Sequence, residues 1–135
     1  MKKPYAAIVF LSYESLEPGE RFYGELLGFP LVEDQGWAKV YRIHDTSYVG
    51  IVESKRASMP GALGEGTLLS IVVEDVDVWY ERLKTEPSIE ILNAPQMVGE
   101  LPVYSFFLKD PAGYAVEIQA FTEPQIVARF ADQLK

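Results

Sequence analysis

Glu117 is a carboxylate in an apolar run, and it is the first residue of this chain whose chemistry demands a reason. It stands between Val116 and Ile118 in the stretch FFLKDPAGYAVEIQAF, residues 106–121. Burying an unpaired carboxylate costs on the order of several kcal/mol, so such a group is hydrogen-bonded, paired, protonated or in use. Three readings suit it: a relic held by hydrogen bonds to neighbouring backbone or tyrosine, a cavity acceptor for a cationic or hydrogen-bond-donating ligand, or a general base. Ala115 shares its strand face and is small, which leaves room beside the carboxylate. A second carboxylate, Glu53, ends the stretch SYVGIVES and shares a strand face with Ile51. The single histidine, His44, falls in YRIHDTSY at an expected turn and has no partner ligands nearby in sequence, which suits a surface position. With no cysteine, the chain has no disulfide, zinc-thiolate or iron–sulfur chemistry. One histidine does not furnish a serine–histidine–aspartate set with any assurance, and no glycine-rich phosphate cradle precedes a helix.

Aromatic residues supply candidate walls for a binding cavity. Trp37, Tyr41, Tyr48, Tyr104 and Phe106 all fall in expected strands, where about half of the side chains point to each face. Aromatic walls stack on planar ligands and attract cations. The candidate ligand-binding set is therefore Trp37, Tyr41, Tyr48, Tyr104 and Phe106, with Glu53 and Glu117 at the polar end. Glu117 is also the candidate catalytic residue.

The elements that must position these residues occur twice. IVFLSYESLEPGERFYGELLGFPLVED from Ile8 and LLSIVVEDVDVWYERLKTEPSIEILN from Leu68 share an order of parts. Each opens with a short apolar strand that ends at acidic residues. Each continues into a helix with an aromatic pair, Phe22–Tyr23 or Trp79–Tyr80, followed by Leu26 or Leu83. Three more strands follow, near 30–33, 37–43 and 47–53 in the first copy and near 89–93, 102–109 and 114–121 in the second. Ser15 can cap the first helix, with Pro18 in its first turn and Gly28 at its end, while Asp75 or Asp77 can cap the second. Asp110–Pro111–Ala112–Gly113 reads as a turn, because proline presets φ and glycine accepts a positive one.

Ser54–Gly66, rich in Gly, Pro and Ser, marks the linker. The tail TEPQIVARFADQLK reads as a helix capped by Thr122, with Ile126, Phe130 and Leu134 on one stripe. The expected fold is α+β: two βαβββ modules, about 4–54 and 67–121, a linker at about 55–66, and a C-terminal helix at about 122–134. Together they would form a single domain around one curved eight-stranded sheet.

The formal net charge of −8 argues against a nucleic-acid partner, which needs a cationic surface. No apolar run is long enough to span a bilayer, and AAIVFL near the N-terminus is shorter than a signal-peptide core. The expectation is a cytoplasmic protein with no membrane partner.

FYGELLGF in the first copy and DPAGYAVEI in the second resemble the vicinal oxygen chelate superfamily, which includes glyoxalase I, bleomycin-resistance proteins, fosfomycin-resistance enzymes and extradiol dioxygenases. The resemblance runs from Pro4 to about Phe121. It implies that Glu117 matches a metal ligand of the metal-dependent relatives. Their other ligands lie on the first strand of each copy, where this chain has Ile8 and Leu68 by motif alignment, and on the last strand of the first copy, where it offers Glu53 or Ile51. Ile8 and Leu68 have no donor atoms. The resemblance then implies a small-molecule-binding protein of the bleomycin-resistance type, without a complete metal site and without a cofactor. Such relatives form homodimers and bind ligands at grooves, here one of aromatic or cationic character. The alternative is a glyoxalase-like lyase or isomerase, or a dioxygenase, using Glu117 with Glu53 as ligands of a weakly held divalent ion, or Glu117 as general base.

Overall fold

The computed structural model describes residues 1–59, 61 and 63–130. The chain divides into two compact units, Met1–Leu63 and Gly64–Lys135, and the division falls within the expected linker.

In the first unit the strands are β1 (Ala7–Tyr13), β2 (Leu31–Asp34), β3 (Ala38–His44) and β4 (Ser47–Glu53), in the order β1-β4-β3-β2. β1 runs parallel to β4, and the other neighbours are antiparallel. Between β1 and β2 an α-helical turn, α1 (Glu17–Gly19), passes directly into a π-helical segment, Glu20–Leu26. The widened ladder is explicit where the Leu27 N–H donates to the Phe22 carbonyl at 2.9 Å. Gly19 and Gly24, five positions apart, both lie under this helix, and a Cβ on Gly24 would sit 3.1 Å from the Tyr41 ring. A spacing of five repeats on one face of a helix of this wider pitch, so both glycines let it settle close onto the sheet. Pro18 lies in the first turn and Gly28, at φ 75°, follows the C-cap as expected. Ser15 is not the cap: that position belongs to Leu16, with no side-chain cap bond.

The helix covers Leu11, Tyr13, Tyr41, Val49 and Ile51, all buried, together with its own Phe22 and Tyr23. Tyr41 lies 6.5 Å from Tyr23 between ring centroids. Burial, and then the negative charge of Glu20, raise the Tyr41 phenol above its ordinary 10.0. The folded protein therefore holds this proton more tightly than the unfolded chain, so its contribution is complete below pH 10 and is lost as pH rises through the higher folded value. Tyr41→Phe is expected to remove part of the alkaline loss of stability, measured as denaturation midpoints from pH 8 upward.

In the second unit β5 (Leu68–Val72) runs parallel to β9 (Ala115–Phe121), and β8 (Val103–Lys109) lies antiparallel to β9. The far side of β8 is shared by two short strands, β6 (Glu90–Ile91) and β7 (Gln96–Met97). The sequence reading placed one strand near 89–93 and missed β7. Pro95 has no N–H to give the ladder, so the strand breaks there. Asn93 bridges the gap by accepting the Phe107 N–H on its Oδ1 at 2.8 Å. Helix α2 (Val76–Leu83) starts after Asp75, whose carbonyl takes the N–H groups of Val78 and Trp79, with no side-chain cap bond. The helix packs on one face of this sheet, where Tyr80 meets Phe106 edge-on at 5.3 Å. The Asp110 turn forms as expected: its Oδ1 accepts from the Ala112 and Tyr114 N–H groups, each at 2.9 Å, and Gly113 takes φ 93°.

Helix α3 (Pro124–Phe130) begins after Glu123, not Thr122; the Glu123 carbonyl receives the Ile126 and Val127 N–H groups. Phe130 stacks on Phe121 at 5.2 Å, and the expected stripe position Leu134 lies outside the described residues.

The architecture is α+β with the element order expected from the two βαβββ modules and the C-terminal helix, and the ladders form two mixed sheets, one of four and one of five strands.

Candidate functional site

Each sheet has one face covered by the helix that follows its first strand and an opposite face, and strand register decides which side chains lie on which. In the second unit Phe106 pairs with Ile118 and Leu108 with Val116; all four are fully buried on the α2 side. Tyr104 is on that side too, because its hydroxyl donates to Asp77 Oδ1 on α2 at 2.7 Å. This bond raises the Tyr104 phenol above its ordinary 10.0. Glu117 alternates to the opposite face, beside Ser70, its register partner on β5, and shares it with Phe121, on which Phe130 of α3 stacks.

Glu117 is 7% exposed and its desolvation is offset locally. Ser70 Oγ donates to Glu117 Oε1 at 3.0 Å, and Gln119 Nε2 donates to the same oxygen at 3.3 Å. Gln119 Nε2 also donates to Ser70 Oγ, which closes the cluster. Both donors converge on Oε1, and Oε2 takes no hydrogen bond from a described residue. Ser105, the register partner of Gln119, extends the polar strip. Its Oγ and Gln119 Oε1 are buried and have no hydrogen-bond partner among the described residues. The strip thus keeps a donor and an acceptor in reserve beside the carboxylate. Ser70, Ser105 and Gln119 were missed in the sequence. The available signal was Gln119 two positions after Glu117, hence on the same strand face.

In the first unit the positions that match Ser70 and Glu117 are Phe10 and Gly50. Phe10 pairs with Gly50 on parallel strands as Ser70 pairs with Glu117. Phe10 and Ser70 also lie at the same distance before the buried aliphatic residue at their helix start, Leu16 or Val76. The Phe10 ring lies over Gly50, where a Cβ would meet ring carbons at 2.5 Å. Gly50→Ala must displace that ring and is expected to destabilise the unit by roughly 1–3 kcal/mol. In Phe10→Ala the same substitution should cost much less, and a double-mutant cycle by urea unfolding measures the coupling.

Ile8 faces Tyr48 and Leu68 faces Ala115; Phe10 and Ser70, two positions on and on the same strand faces, are level with Gly50 and Glu117. Glu53 and Ile51 alternate to the helix side; Ile51 is fully buried against Gly19. The positions the family implies, Ile8, Leu68 and Glu117, and their register neighbours Phe10, Gly50 and Ser70 therefore offer a single carboxylate. Aliphatic side chains, a phenyl ring, a neutral hydroxyl and one carboxylate do not fit a divalent ion. Among the described residues no group of three or more histidine or acidic side chains could hold one.

The expected aromatic cavity is also redistributed. Tyr41 and Phe106 are core residues under the helices, and Tyr104 ties β8 to α2. Trp37 is exposed just before β3, with the Arg56 guanidinium over its ring at 5.7 Å. Of the five, Tyr48 alone lies on an open face, paired with Ile8 and Arg42. His44 is exposed at the end of β3.

No curated protein matches the chain. Among solved structures, it is similar to a glyoxalase/bleomycin resistance protein/dioxygenase from Nocardioides, with TM-score 0.71 and 19% identity over 92% of this chain and 87% of that one. A glyoxalase-related enzyme from Fulvimarina pelagi matches with TM-score 0.72 and 20% identity over 85% of this chain and 86% of that one. A glyoxalase/dioxygenase from Nostoc punctiforme matches with TM-score 0.67 and 18% identity over 86% and 90% of the two chains. At these identities the likeness concerns the fold. The family model matches residues 7–118, both repeats and the Glu117 strand included, and the chain belongs to the Glyoxalase/Bleomycin resistance protein/Dioxygenase superfamily.

Proposed function

We propose that the chain binds a small organic molecule without a metal, in the manner of the bleomycin-resistance type, and that Glu117 anchors the ligand. One observation carries the reading: Phe10 and Gly50 stand in the first unit where Ser70 and Glu117 stand in the second. Glu117 is thereby left as a lone carboxylate, fixed by Ser70 and Gln119 on one oxygen. Its second oxygen suits a cationic or N–H-bearing planar ligand. Sequestration needs affinity and no chemistry, so the loss of ligating side chains is tolerated.

A homodimer belongs to this reading. The edge strands β1 and β5 each carry half-exposed apolar residues, Val9 at 51% and Leu68 at 52%, and such edges call for cover. An interface of about 1,200 Å² or more would suffice for a stable pair, and light scattering at micromolar concentration should give twice the chain mass. A cytoplasmic location is part of this reading, and a chain without cysteine is compatible with it.

Screening planar cations by tryptophan fluorescence, with neutral and anionic analogues alongside, tests the ligand class. The reading expects cations to bind best and Glu117→Gln to weaken them. Turnover of a screened compound that stops in Glu117→Gln would instead establish the second reading, an enzyme with Glu117 as base. That reading draws on the same uncommitted oxygen.

A further inference from the structure

The open face of the first unit carries a groove of about 870 Å³, within the size range of small-ligand sites. Its bed is apolar: Ile8, Phe10, Val32 and Val40. Its rim opposes the chain's overall charge. Lys2, Lys3 and Arg42 line it against a single carboxylate, Glu33, in a protein of net charge −8. Glu33 is partly committed, since its Oε1 accepts the Asp34 N–H at 2.9 Å.

Arg42 is held ready. Its Nη2 donates to the Tyr48 hydroxyl at 3.3 Å, and the guanidinium lies 5.5 Å from the Tyr48 ring centroid. The Tyr48 hydroxyl donates in turn to the Asp45 carbonyl at 3.2 Å. The tyrosine bond uses one of five guanidinium donors, and Arg42 is in no ion pair with a described carboxylate. A fixed, unneutralised guanidinium beside an apolar bed matches an anion attached to an apolar body.

We propose that this groove binds a small aryl or branched-alkyl carboxylate, with Arg42 forking the carboxylate, Tyr48 fixing Arg42, and Phe10 and Val32 bedding the apolar body. An exposed ion pair alone is weak and screened by salt, so the apolar body is part of the recognition and acetate is a poor ligand. All the lining residues belong to the first unit, whereas Glu117 belongs to the second and is the anchor proposed for a ligand of opposite charge.

Isotope-labelled protein titrated with naphthalene-2-carboxylate, 2-naphthylmethanol, 2-naphthylmethylammonium and acetate tests it by amide shifts. The carboxylate should move the amides of Phe10, Tyr48 and Gly50 and bind about tenfold tighter than the alcohol. Arg42→Gln should erase that preference, and Arg42→Lys should keep part of it. Arg42 is exposed, so the spectrum of each variant also verifies the fold. Equal binding of the cation as read at the Phe10, Tyr48 and Gly50 amides, an unchanged preference in Arg42→Gln, or carboxylate shifts confined to residues outside β1, β3 and β4 would overturn the proposal.

Discussion

Phe106→Ala is expected to lower stability by about 3–5 kcal/mol, as large-to-small changes at fully buried aromatics do. The ring is 0% exposed, faces α2, and meets Tyr80 edge-on at 5.3 Å. Removing it loses that contact and leaves a cavity between sheet and helix. Phe10→Ala makes the contrast. Phe10 also sits mid-strand, but on the open face at 51% exposure, and its loss should cost well under half as much. Denaturant titration of both variants gives the comparison. If Phe106 lined a ligand cavity instead, its alanine variant would keep most of its stability and lose ligand affinity, and the face assignment of β8 would be wrong.

Glu117→Gln should separate stability from binding. The amide oxygen still accepts from Ser70 and Gln119, so the unfolding free energy should move by less than about 1 kcal/mol. A charge-assisted bond to a ligand is roughly twice as strong as a neutral one. Affinity for a planar cation should therefore fall by about tenfold or more. Glu117→Leu removes the acceptor as well. It leaves the Ser70 hydroxyl and the Gln119 amide without their carboxylate, at about 1–3 kcal/mol in stability. Calorimetry on the two variants, each with its own unfolding curve, distinguishes an anchoring carboxylate from a purely structural one.

The repeat was legible because its signals are local. The Asp110–Gly113 turn, the aromatic pairs on the helices and the glycine at position 28 each specify backbone on their own, and strand boundaries followed from them. Which face a strand residue takes was not legible. Alternation fixes that Glu117 opposes Val116 and Ile118, yet Tyr104 and Phe106 on β8 are placed only by the pairing of Phe106 with Ile118. For the same reason the sequence did not show that Phe10 and Ser70 are the register partners of Gly50 and Glu117. Gly50 carried no visible signal, since its meaning is the Phe10 ring above it. The strand order within each sheet follows the repeat, because each copy encodes its own ladder.

Metal content and bound mass of the protein purified without chelator test the central claim most directly. Native mass spectrometry should show the chain without a divalent ion after exposure to Zn²⁺, Ni²⁺ and Mn²⁺, with any retained adduct being an organic molecule that Glu117→Gln releases. One metal ion per chain, retained through desalting and lost in Glu117→Gln, would contradict it.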